Sequence, residues 1–107
     1  MGYRAGEDYD DTASRNTSIG SYAGRDIGEG VSNTTIGSDA GLHTEYADFN
    51  TFVGVLSGHD NNRYNSRSIT NRNTALGAFS AFTTRQGADN VNIGAFSDPA
   101  DWQAVDQ

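Results

Sequence analysis

The stretches NTSIGSYAG, from Asn16 to Gly24, and NTTIGSDAG, from Asn33 to Gly41, stand 17 residues apart and agree at seven of nine positions. Three more copies follow: NTFVGVLSG from Asn50, NTALGAFSA from Asn73 and NVNIGAFSD from Asn90. Successive asparagines are separated by 17, 17, 23 and 17 residues. A partial copy opens the chain, where Gly2-Tyr3-Arg4-Ala5-Gly6 matches Gly20 to Gly24 with a register slip of one residue. Self-similarity at a period of this size is the mark of a solenoid, in which each repeat makes one coil and like residues stack.

Each column of the repeat has a physical reading. The asparagines Asn16, Asn33, Asn50, Asn73 and Asn90 suit a ladder at a corner, their amides bonding to the neighbouring coil. The aliphatic column, Ile19, Ile36, Val53, Leu76 and Ile93, is expected at the inward position of a short strand. The glycines that follow it, Gly20, Gly37, Gly54, Gly77 and Gly94, suit a tight corner or positive φ. The small column, Ala23, Ala40, Ser57, Ser80 and Ser97, fits where stacked coils leave no room for a larger side chain. A helical reading fails, because glycine recurs every few residues and no apolar stripe of helical period is present. The expectation is an all-β parallel β-solenoid of about six short coils over residues 1–98. Residues 99–107 would form a C-terminal cap or docking tail.

Composition sets limits on function. The 107 residues make one domain at most, with 35% apolar residues, no cysteine, no lysine and a formal charge of −7. Phosphate binding needs a basic face, so nucleic acid is not an expected partner. No segment is apolar and long enough to insert in a membrane, and the first residues show no secretory signal. The absence of cysteine removes disulfides and thiolate metal sites.

So few aliphatic residues can offset little of the entropy of ordering such a polar chain. The residues three beyond the aliphatic column, Tyr22, Leu56, Phe79 and Phe96, lie outside any obvious single-coil interior. With Trp102 they are candidates for contact between chains; the alternative is that they cover the outside of a monomer's core. A threefold assembly would bury them and protect the sheet edges.

The N-T-x-I-G-x-x-A/S pattern resembles the head repeats of YadA-type trimeric autotransporter adhesins, and similar repeats in trimeric bacteriophage tail-fibre and virion-surface proteins. The resemblance covers about residues 1–98. It implies a homotrimer of parallel β-rolls with the aliphatic column pointing into each roll. The repeat here is longer than in the adhesin heads, and no signal peptide, stalk or anchor is visible. Those departures tilt the expectation to a non-enzymatic virion module, a tail-fibre or spike segment or a capsid-surface decoration protein. Its partners would be copies of itself, other virion proteins, or a host surface glycan or receptor. A bacterial adhesin head on the cell surface is the alternative.

Departures from the repeat are where binding is expected. The long interval carries six extra residues within residues 59–72, including Arg63, Tyr64, Arg67 and Arg72. Arginine forks and a tyrosine face suit an anionic glycan or a neighbouring protein. Alternatively, these arginines pair with Asp48, Asp60 or Asp89 and merely solubilise a loop. At the C-terminus, Asp98 before Pro99 reads as a helix N-cap, with Trp102 and Val105 on one side of a short turn.

Catalytic patterns are weak. Carboxylates are scattered one or two per coil, so paired-carboxylate hydrolysis, as in a glycan-degrading tailspike, is not favoured. No phosphate-binding glycine loop or calcium-binding nonapeptide is present, and no cofactor is expected. His43 and His59 fall one column apart in neighbouring coils. Their ordinary role is at a surface or interface, although three copies on a trimer axis could hold a metal. Thr17, Thr34, Thr51 and Thr74 form the kind of hydroxyl row that ice-binding solenoids display, but the column two residues on is aliphatic.

Overall fold

The computed structural model describes residues 1–10, 12–61, 71–82 and 87–97. Five three-residue strands form one parallel sheet in chain order: β1 (Thr17–Ile19), β2 (Thr34–Ile36), β3 (Thr51–Val53), β4 (Thr74–Leu76) and β5 (Val91–Ile93). The chain is a parallel β-solenoid, and no helix occurs among the described residues. The register follows the repeat: Thr17 faces Thr34, Thr51 faces Thr74, and Ile19, Ile36, Val53, Leu76 and Ile93 are partners in turn. From β1 to β5 the chain makes about four turns, which is five strand-bearing coils. Residues 1–10 add a partial rung without a strand, the Gly6 and Asp8 amides donating to the Ala23 and Arg25 carbonyls.

What binds coil to coil is the asparagine column. The backbone N–H of Asn33 donates to Asn16 Oδ1 at 2.8 Å, that of Asn50 to Asn33 Oδ1 at 2.9 Å, that of Asn73 to Asn50 Oδ1 at 2.9 Å and that of Asn90 to Asn73 Oδ1 at 3.1 Å. The side-chain amides of Asn16, Asn33 and Asn73 also donate within their own coil, to the carbonyls of Gly30, Ala47 and Gly87 at 2.7 to 2.8 Å. Asn33, Asn50, Asn73 and Asn90 are buried. Each therefore satisfies polar groups that burial would otherwise leave without water.

This ladder overturns the expectation that the aliphatic column forms the core. Successive strand residues point to opposite faces. With the asparagine turned inward, the threonine after it faces out, the middle residue faces in and the aliphatic residue faces out. The middle residues Thr35, Phe52, Ala75 and Asn92 are buried, whereas Ile19, Leu76 and Ile93 are 42%, 37% and 68% exposed. Ile36 and Val53 are only half-buried. The interior is instead small and hydrogen-bonded: Ala40, Ala75 and Ala81 cluster with Phe52, and Ala23, Ile27, Ala47, Thr44, Ser57 and Ser80 are buried as well.

Corners explain two further columns. A Cβ on Gly20, Gly37, Gly54 or Gly77 would lie 2.5 to 2.7 Å from backbone atoms of the next glycine in the column, and all four have φ between +127° and +136°. The second corner adjusts to the strand beside it. A Cβ on Gly58 would lie 2.4 Å from the Phe52 ring. One turn on, Ala81 occupies the same left-handed corner at φ 51°, and its strand neighbour is the smaller Ala75.

Asn50→Ala removes the acceptor for the Asn73 amide and should cost about 1–3 kcal/mol of stability in urea unfolding. The half-buried end-rung substitution Asn16→Ala should cost less. Gly58→Ala should destabilise through its contact with the Phe52 ring by roughly 1–3 kcal/mol. That penalty should shrink in a Phe52→Ala background, where the alanine pair found at residues 75 and 81 is reproduced. An additive cycle would show that the corner does not sense the ring.

Candidate interaction surface

Because the strands alternate, two residue columns share the outer face of the sheet. Thr17, Thr34, Thr51, Thr74 and Val91 form one, and Ile19, Ile36, Val53, Leu76 and Ile93 the other. The result is a continuous strip of hydroxyl, methyl and aliphatic groups across all five strands. Isolated apolar residues on a surface are ordinary, whereas this row continues from strand to strand across the sheet.

The corner three residues beyond the aliphatic column carries the aromatics. Tyr22, Leu56, Phe79 and Phe96 all take left-handed backbone, φ 58° to 61°, as does Asp39 at φ 57°. They form two groups rather than one seam. Near the N-terminus Tyr22 meets Tyr3 edge-on at 5.5 Å, with Arg4 and Arg25 over the rings. At the other end Phe79 stacks on Phe96 at 5.0 Å and tilts against Phe82. Phe96 is 73% exposed, while Tyr22, Leu56 and Phe79 are half-buried.

The insertion leaves and rejoins the coil at defined points. Asn61 is buried one repeat after Thr44, in the column begun by Ile27. The Asp48 amide donates to Asn71 Oδ1 at 2.8 Å, as the Val31 amide does to Asp48 Oδ1 at 2.9 Å. Ten residues therefore separate Asn61 from Asn71 where four separate Thr44 from Asp48, and the difference is the six extra residues. Arg63, Tyr64 and Arg67 lie outside the described residues, as do Trp102 and the expected cap at residues 99–107. Arg72 is described. Its guanidinium grips Asp89 with both arms, Nε to Oδ1 at 2.5 Å and Nη2 to Oδ2 at 2.7 Å. One of the four candidate binding residues is thus engaged at the foot of the loop, in the manner of the ion-pair alternative.

Near the same loop the two histidines, expected one column apart in neighbouring coils, meet two aspartates that the sequence alone did not place with them. His43 is bracketed by Asp26 and His59. Its Nδ1 sits 3.4 Å from Asp26 Oδ2, and its ring meets that of His59 edge-on at 5.3 Å. His59 in turn bonds Asp60 Oδ1 through Nδ1 at 2.9 Å and stacks on Phe82 at 4.9 Å. The signal was present in the spacing: Asp26, His43 and Asp60 follow one another at 17 residues, the repeat length.

Comparison with protein-family models, with curated proteins and with solved structures finds no match to this chain. The fold and its exposed face define a parallel β-solenoid repeat protein. Among the described residues no helix is long and apolar enough to cross a membrane.

The Arg72 hydrogen bonds hold the Asp89 carboxyl below its ordinary range, with the guanidinium's charge adding to the effect. A depressed carboxyl stabilises the fold above its unfolded-state pKa, and the contribution is lost as pH falls through the folded value. NMR titration should therefore place Asp89 below the ordinary carboxylate range. Arg72→Gln should return it to the ordinary range; an unchanged midpoint would show that the pair does not persist in solution.

Proposed function

We propose that the chain is a non-enzymatic structural and attachment module that works as a homotrimer, a tail-fibre, spike or decoration element on the surface of a bacteriophage virion. The observation that carries this reading is the outward aliphatic column. In a lone chain Ile19, Leu76 and Ile93 stand in water beside half-buried Ile36 and Val53. Copies packed on this face would supply the apolar burial that the small interior lacks. The repeat resemblance supports the same assembly, with the aliphatic residues serving between chains instead of inside one. The Arg-rich insertion, its foot secured by Arg72 and Asp89, is the place for docking to an anionic glycan, receptor or neighbouring virion protein through Arg63, Tyr64 and Arg67.

The head of a bacterial trimeric adhesin would use the same face, and the neighbouring genes separate the two. A tailspike hydrolase would release reducing sugar from a host polysaccharide. The outer threonine row is of the kind an ice-binding plane uses, but the row beside it is aliphatic, and an absence of thermal hysteresis would remove that reading.

Native mass is the direct test. Three chains of 11.4 kDa give about 34 kDa, and Ile36→Asp, which places a charge on the outer face, should yield monomer with an unchanged circular dichroism spectrum. A wild-type chain that stays monomeric at working concentration would remove the proposal.

A further inference from the structure

We infer that His43, His59 and Asp60 form a binding site for a divalent transition-metal ion such as Zn²⁺. One donor atom from each of the three lies within 4.8 Å of the others, close enough for one ion to gather them with small side-chain movements.

The solenoid explains how such a set arises on so polar a chain. Parallel stacking places His43 between Asp26 on one side and Asp60 on the other, and the His43 amide donates to the His59 carbonyl at 3.0 Å. The two imidazoles are therefore held by adjacent coils joined by backbone hydrogen bonds. Their orientations are set from outside as well. The His59 ring is stacked on Phe82 with an interplanar angle of 14°, which restrains its rotation.

The surroundings have the features of a metal site. Side-chain exposure is 6% at Asp60, 18% at His59 and 37% at His43. Two ligands are thus sheltered while solvent can reach the third and complete the coordination. Asp26 lies against His43 Nδ1 at 3.4 Å, where a carboxylate orients a ligating imidazole. Two nitrogens and one carboxylate oxygen favour a borderline cation such as Zn²⁺, Co²⁺ or Ni²⁺ over Ca²⁺ or Mg²⁺, which prefer oxygen ligands. The ion would link the coil of His43 to the coil of His59 and Asp60 where the insertion begins. It would act as a staple between rungs, independently of how many chains assemble.

The chain contains only two histidines, which makes the test direct on the untagged protein. Titration with Zn²⁺ alone should show saturable binding of one ion per chain, and the ring resonances of both histidines should shift together by NMR. Excess Ca²⁺ should not reverse the shifts. His43→Gln and His59→Gln should each weaken Zn²⁺ binding at least tenfold by calorimetry, and Asp26→Asn should weaken it by roughly tenfold or more through the lost orienting contact. The inference is overturned if Zn²⁺ binding does not saturate, if only one histidine responds, or if either histidine variant binds as tightly as the wild type. The NMR outcome on the unmodified chain decides the matter even if a variant fails to fold.

Discussion

The structure depends on one hydrogen bond repeated from coil to coil: the backbone N–H of each asparagine given to the side-chain oxygen of the asparagine one turn earlier. Asn16, Asn33, Asn50, Asn73 and Asn90 make four such links without a break, across the 23-residue interval as well as the 17-residue ones. A buried amide without a partner is costly, so the column is satisfied only when consecutive coils sit in register. That requirement sets the stacking more firmly than apolar burial does, because the interior offers mainly alanine, serine and threonine around one phenylalanine.

The same bond decides which side chains see water. An asparagine turned inward leaves the threonine and the aliphatic residue of every strand on the outer face, since side chains alternate along an extended chain. An aliphatic column reads at first as a core, and in a sheet with a large interior it would be one. Here the coil is too narrow, and the inward place belongs to a residue whose size is matched across the corner. Phe52 faces Gly58, while Ala75 faces Ala81. A large ring in the strand is met by glycine at the corner, and a methyl group by a methyl group, as close packing requires. The outer face is then a continuous row of apolar groups among the described residues.

The two places where side-chain chemistry gathers also arise from stacking. Arg72 and Asp89 meet because both precede a ladder asparagine on successive coils. His43, Asp26 and Asp60 meet because they are one repeat apart, and His59 joins them from the adjacent position. Neither grouping is contiguous in the chain, and neither matches a short motif. A solenoid turns an interval of one repeat length into a distance of one strand spacing, so residues far apart in sequence share a site.

Sequence alone determined the architecture: parallel coils, the register of the five strands, the asparagine ladder, the glycine corners and the point where six residues are inserted. Those features recur at a fixed interval, and periodicity is visible without coordinates. What only the tertiary structure decided is the direction each column faces and which departures from the repeat come together. The inward turn of the asparagine, the exposure of Ile19, Leu76 and Ile93, the Arg72–Asp89 grip and the histidine–aspartate group all depend on it. The physical reason is that repetition specifies which residues stack on which, whereas facing depends on how much volume one narrow coil can enclose. That volume is a property of all its walls at once.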